Sequence, residues 1–243
     1  MTESNERADG RRELLLRMYD QLFNDINRHI LVVWQSVATL LGSVAVFALV
    51  EKELIGVPVA TLIIFLATGW LIANVIDSSY WYNRNLVIIA NIEREFLYQS
   101  DLHDIHYYFG EHRASNTLLT HLWIQGVLGG LLALGVGLAD IWVSMRPTFD
   151  ASLHVRLWNA VPLLFAVVAA VVLYVFYSSR GAAYVLFKQN SPGVPIDTSG
   201  IVYGSGHPAE TAHGRFLTVA RWTTAAVILA ALVFDLMYVF GVF

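Results

Sequence analysis

The chain has 243 residues, of which 56% are hydrophobic and 14% charged, against about 25% charged residues in an ordinary soluble domain. That composition excludes a simple soluble globule, and a net charge of -4 offers no excess of positive charge to nucleic acid. With no cysteine, disulfides, thiolate metal sites, iron–sulfur clusters and cysteine nucleophiles are excluded together.

Residues 1–29 are polar and charged. Within them Leu15, Met18, Tyr19, Leu22, Phe23 and Ile26 recur at helical spacing, while Arg12, Asp20, Asn24 and Asp25 fall largely elsewhere, which predicts an amphipathic helix. An apolar run follows at 30–50 with no small-residue cleavage site, so it reads as a retained anchor and not as a removed signal peptide. On it Gln35, Thr39, Gly42 and Ser43 form a polar and small stripe, the pattern of a pore or cavity lining or of hydrogen bonds to a neighbouring helix.

A second run at 57–77 completes a transmembrane hairpin over 30–77, with Asn74 and Asp77 sharing a face near its end. Residues 78–117 follow as a cytoplasmic helix and elbow, the helix carrying an apolar stripe of Ile88, Ile89, Ile92 and Phe96 opposite Arg84, Asn91, Arg94 and Glu95. The apolar faces of the two cytoplasmic helices need burial, and their mixed-charge polar faces favour a helical bundle over the headgroup layer. The elbow holds His103, His106 and His112 beside three carboxylates. Imidazole and carboxylate suit zinc, iron or copper, yet no His-Glu-x-x-His run is present, so a pH-sensitive junction or a structural elbow stands beside the metal reading. No other cofactor is implied.

The second hairpin, 118–179, comprises runs at 118–145 and 157–179. In the first of these Gly126, Gly130, Ala133 and Gly137 align on one face that lets another helix approach closely. Asp140 follows near that face, and Asp235 lies well inside the last run, 217–241. A charged side chain within a span costs about 2.5–3.5 kcal/mol on insertion scales and calls for a partner or a wet cavity. At similar depth the two carboxylates can share a proton, hold a cation, ring a pore mouth, or pair with Arg146 or Arg156. Between the hairpin and the last span, 180–216 is a cytoplasmic loop rich in Gly and Pro. The second and fourth spans end alike, in Asp77-Ser78-Ser79-Tyr80 and Tyr177-Ser178-Ser179-Arg180.

Taken together, the runs predict an all-α polytopic membrane protein with about five transmembrane helices, the last at 217–243, and a cytoplasmic helical extension. With the N-terminus inside, only Lys52, Arg146 and Arg156 of the 15 basic residues fall outside, so the positive-inside rule sets the N-terminus in and the C-terminus out of a cytoplasmic (inner) membrane. Short outer loops at 51–56 and 146–156 leave no room for an external domain. No Gly-x-Ser-x-Gly elbow or nucleotide loop is present, and the reading leans away from an enzyme.

The order of amphipathic helix, two spans, a boundary rich in Trp and Asn (Trp81, Asn83, Asn85) and a cytoplasmic helix ending Ile92-Glu93-Arg94-Glu95-Phe96-Leu97 resembles the layout of SLATT-type small bacterial membrane proteins. The resemblance covers residues 9–99 and implies an oligomer acting as a pore-forming effector. The three further spans depart from the usual two. Three functions follow as expectations. The first is a homo-oligomer forming or bordering an ion pathway lined by Gln35, Thr39 and Ser43 or by Asp140 and Asp235. The second is an accessory subunit docking onto other membrane subunits, and the third a metal-dependent membrane enzyme using the histidines.

Overall fold

A computed structural model describes residues 2–27, 29–98, 100–101, 116, 118–190 and 230–240. Among these residues the architecture is wholly helical: α1 (Thr2–Asn27), α2 (His29–Glu51), α3 (Val57–Phe96), α4 (Thr120–Asp140), α5 (Leu153–Asn190) and the short α6 (Ala230–Phe240). α4 runs on through a π-helical turn, Ile141–Met145, and a 3-10 turn, Arg146–Thr148.

Four helical segments, Trp34–Glu51, Val57–Phe96, Thr120–Thr148 and Leu153–Asn190, are long and apolar enough to cross a membrane. Of the fifth span expected at 217–241, the described part is α6, with 11 residues too short to cross by itself. The histidine elbow and most of the Gly/Pro-rich loop lie outside the described residues.

α2 and α4 run toward one end of the bundle, where residues 52–56 and 146–152 make the connections, and α3 and α5 run back. We call this the turn end and the opposite one the extension end. At the turn end α2 stops on Glu53, in the left-handed region at φ 57°. The Leu54 amide reaches the Leu49 carbonyl at 3.0 Å and the Glu53 amide the Val50 carbonyl at 2.9 Å, the paired bonds of a Schellman closure with glutamate where glycine usually sits. α3 then opens on extended Gly56 with Pro58 in its first turn, where a missing amide leaves no carbonyl unserved.

α3 is the hub, packing against α1, α2, α4 and α5. Its most apolar window is 44% buried, against 11–17% for the other three spans, so those three present most of their apolar surface outward. Leu41, Val44, Leu131, Leu138, Val168 and Val172 are examples, and hydrocarbon is the medium that tolerates them. Six tryptophans are exposed among the described residues, Trp70 midway along the apolar run of α3 and the others toward its two ends. Trp34, Trp81 and Trp123 are exposed toward the extension end, and Trp142 and Trp158 toward the turn end. Trp123 and Trp142 lie along one helix, 19 residues apart, an axial rise of about 28 Å that matches a hydrocarbon core of about 30 Å.

α3 does not stop where the apolar run ends but continues as one helix to Phe96. Its extension takes α1 along one face: Ile26, Leu86 and Ile89 form a buried cluster flanked by Tyr19, Leu22, Phe23 and Tyr82. The Tyr19 hydroxyl donates to Glu93 at 3.1 Å and Arg11 pairs with Glu95 at 2.6 Å. The apolar faces of the two amphipathic segments are thus buried on each other, although Met18 and Leu14 remain exposed.

α5 also continues past its span, and it does so parallel to α3. Arg180 pairs with Asp77 at 2.6 Å, and one heptad further on in both helices Arg84 lies over the Phe187 ring at 5.2 Å. A constant offset over seven residues in the same direction fixes the parallel sense, and the two similar span ends meet side by side.

Candidate functional site

Two carboxylates are buried toward the turn end. Asp140 is 2% exposed and Asp235 0%. Asp140 closes α4 at the start of the π-helical turn, which re-aims the residues that follow it. The hydroxyls of Ser144, one turn on, and of Thr61, on α3, hydrogen-bond to the Asp140 carboxylate, while its Oδ1 has no partner. Both oxygens of Asp235 are buried without a hydrogen-bond partner among the described residues.

Nearby, the Nε of Arg156 is likewise buried without a partner. Thr148 and Tyr238 share a short hydroxyl–hydroxyl hydrogen bond. Asn159, on α5, donates to the Ser144 carbonyl at 2.9 Å and to the Thr148 hydroxyl at 3.0 Å. Met145, Ala160, Tyr238 and Val239, with Ile141, Phe149, Leu163 and Phe234 against them, form a buried apolar cluster that seats α6. Pro162, buried in α5, lacks the amide that would bond the Trp158 carbonyl, which thins the backbone ladder beside the site.

Neither arginine that sequence reading set against the aspartates pairs with them. Arg146 lies over the Trp142 ring at 4.0 Å, and Arg156 donates to the Tyr238 carbonyl at 3.3 Å. The sequence placed the carboxylates at one depth but missed Thr61, Ser144, Thr148, Asn159 and Tyr238. Only Ser144, at i+4 from Asp140, carried a local signal; the others come from separate helices.

The polar stripe of α2 is placed differently. The Thr39 hydroxyl donates to the Gln35 carbonyl at 3.0 Å and the Ser43 hydroxyl to the Thr39 carbonyl at 2.8 Å, so both bond their own helix. Ser43 is buried, and the side-chain Oε1 of Gln35 is buried without a partner. The interhelical bond on this helix comes from Ser36, which the spacing overlooked: its hydroxyl reaches Gln125 of α4 at 2.9 Å.

Of the four small residues on α4, Gly126 and Gly137 face α3. A Cβ on Gly137 would come within 3.3 Å of the Phe65 ring, and one on Gly126 within 3.9 Å of Val75. Gly130 faces open space, and Gly129 takes its place, 3.3 Å from Leu71. Ala133 is half-buried. A helix period of 3.6 is met by steps of three and four, and 126–129–133–137 combines them as well as 126–130–133–137 does.

At the extension end Asn83, fully buried, donates to Asn116 at 2.8 Å. A cleft of about 330 Å³ opens nearby between α1 and α3, lined by Asp25, Asp77, Ser78, Trp81, Tyr82 and Asn85. His103, His106 and His112 lie outside the described residues, and among those described no group of three or more metal-ligating side chains occurs. Comparison with protein families, with characterised proteins and with solved structures finds no match for this chain.

Proposed function

We propose that this chain is a helical protein of the cytoplasmic membrane that borders an ion pathway, with Asp140 and Asp235 as its ion-exchanging centre. One observation carries the reading: Asp235 is fully buried with both carboxylate oxygens unpartnered, and Arg146 and Arg156 at that end are engaged elsewhere. A carboxylate that contributed only to stability would be bonded or paired, because an isolated buried charge costs several kcal/mol. Intramembrane acids left in this condition mark ion or proton paths. The hydroxyls of Thr39 and Ser43, spent on their own backbone, lend the alternative lining on α2 less support.

In this reading the chain works as a homo-oligomer with its N-terminus inside. The open surface beside Gly130 lets a second copy approach closely, and the layout shared with SLATT-type proteins points the same way. The test is flux of H⁺, Na⁺ and K⁺ into liposomes carrying the purified chain, wild type against Asp140→Asn and Asp235→Asn. A change in rate or ion preference in either variant is the expected result; unchanged flux and selectivity in both overturn the assignment. Native mass spectrometry after gentle extraction checks the assembly. Co-purifying chains of fixed stoichiometry would put the accessory-subunit reading first.

A further inference from the structure

The cleft at the extension end is built from one face of α3 and the end of α1. Asp77, Ser78, Trp81, Tyr82 and Asn85 recur along α3 at helical spacing, and Asp25 closes the cleft from α1. Its volume of about 330 Å³ lies at the lower end of ligand-binding clefts. The lining is rich in acceptor oxygens, from two carboxylates, two hydroxyls and an amide, beside the flat wall of Trp81. Asp77 pairs with Arg180 at 2.6 Å and Asp25 accepts the Gln21 amide at 3.2 Å, so the fold itself holds both carboxylates in place. Asn85 differs from them. It is 6% exposed, lines the cleft and makes no side-chain hydrogen bond among the described residues. A buried amide left unpaired is destabilising, and one on the wall of a cleft is answered by what enters the cleft. A second unanswered group stands at the rim. The Arg84 guanidinium lies over the Trp81 ring at 4.8 Å and the Phe187 ring at 5.2 Å, and it has no carboxylate partner among the described residues.

From this arrangement we infer that the cleft binds a primary ammonium group carried next to a phosphate, the ammonium seated among Asp25, Asp77 and Asn85 and the phosphate on Arg84. Two carboxylates disfavour an anion in the cleft itself, whereas a primary ammonium brings three donors to its acceptors. A quaternary ammonium has no N–H and would leave Asn85 unanswered. Among the described residues no group of three or more metal-ligating side chains occurs, so a bare divalent ion lacks a cage here. The level of the cleft selects the source of the ligand. The apolar run of α3 ends at Asp77, and Trp81 is 44% exposed one turn on, the placing of an amphipathic ring at headgroup depth. The ligand is therefore the headgroup of a phosphatidylethanolamine, whose acyl chains follow the outward apolar surface of the spans. This inference stands apart from the ion-pathway reading and does not depend on it.

Native mass spectrometry of the full chain, delipidated in detergent and titrated with lipids of identical acyl chains, tests it. Phosphatidylethanolamine is expected to be retained more strongly than phosphatidylcholine, which keeps the phosphate and the positive charge but has no N–H. It is also expected to exceed phosphatidylglycerol, which keeps the phosphate alone. Asn85→Leu removes one charge-assisted hydrogen bond to the ligand and none within the chain, and should lower that retention about ten-fold. Arg84→Gln should weaken all three lipids and leave their order. Equal retention of the three by wild type, or unchanged retention in Asn85→Leu, would overturn the proposal. Asn85→Asp supplies a second reading should Asn85→Leu fail to fold: a carboxylate in the same place holds the ammonium at least as tightly, and weaker retention counts against the site. Binding of soluble phosphoethanolamine as tightly as the lipid supports the site and moves its source from the bilayer to water. Arg28 follows the α1 wall and lies outside the described residues. A preference for ethanolamine seen only in Arg28→Ala would give the cleft to the chain's own guanidinium and overturn the proposal.

Discussion

Arg180 of α5 meets Asp77 of α3 at 2.6 Å and stacks over Tyr80 and Phe176 at 4.9 and 5.1 Å. A single guanidinium thus ties two parallel helices where their apolar runs give way to their extensions. Arg180→Ala removes an ion pair that is about one-third exposed and two ring contacts, together worth about 1–2 kcal/mol. Lowered thermal stability in detergent is the expected outcome. Arg180→Lys recovers only part of it, because an ammonium cannot lie flat on the rings. A double-mutant cycle with Asp77→Asn measures the pair term, and a coupling near zero would assign the contact to stacking alone.

Ser36 and Gln125 make a buried hydrogen bond between α2 and α4 at 2.9 Å. Bonds of this kind inside membranes average about 0.6 kcal/mol, and the Ser36 hydroxyl is shared with the Val32 carbonyl at 2.9 Å. Ser36→Ala is therefore expected to cost under about 1 kcal/mol. Gln125→Leu, which leaves the hydroxyl its carbonyl partner, is expected to be near neutral. Unfolding titrations of the two variants check the ranking.

Gly129 and Gly130 are adjacent in sequence and opposite in consequence. Gly129→Leu drives a side chain into Leu71 and Ile72, and overpacking of this size costs about 1–3 kcal/mol or more. Gly130→Leu meets nothing within the chain and gains helix propensity, so the monomer keeps or slightly raises its stability. If copies meet at this face, Gly130→Leu lowers the oligomer fraction seen by native mass spectrometry. An unchanged assembly places the contact elsewhere.

Glu53 holds a left-handed conformation, φ 57°, that costs a non-glycine residue about 1 kcal/mol or more. Glycine loses more freedom on folding, about 0.5–1 kcal/mol, and cancels part of the gain. Glu53→Gly is expected to leave stability unchanged or raise it by up to about 1 kcal/mol, whereas Glu53→Val, β-branched at this φ, lowers it. Melting temperatures of the two variants should separate in that order.

Much of the scaffold is legible because its signals are local. Runs of about 20 apolar residues are set by the thickness of hydrocarbon, and the stripes Tyr19-Leu22-Phe23-Ile26 and Ile89-Ile92 are set by the helical period. These found the four helices long and apolar enough to cross a membrane and the mutual burial of α1 and the α3 extension. The site was half legible. A buried acid announces itself by its cost, so Asp140 and Asp235 stand out, but which group answers it depends on helices brought together from Thr61 to Tyr238. Charge counting offered Arg146 and Arg156, and both turned out to be engaged elsewhere, one by an indole and one by a carbonyl. The continuity of α3 to Phe96 was also hidden, since a change from apolar to polar residues reads as a boundary although the backbone hydrogen bonds cross it unchanged.

That continuity has a mechanical consequence. α3 spans 40 residues and α5 38, about 60 Å and 57 Å of helix, side by side and in step, with residues 78–96 of α3 and 180–190 of α5 lying beyond their apolar runs. Two such rods, locked at Asp77–Arg180, behave as one stiff lever pivoting near that pair. A lean of about 10° at the carboxylate end swings the opposite tips by several ångströms, so any strain that reaches Asp140 through α3 and α5 is felt at Phe96 and Asn190 as movement, without a loop to absorb it.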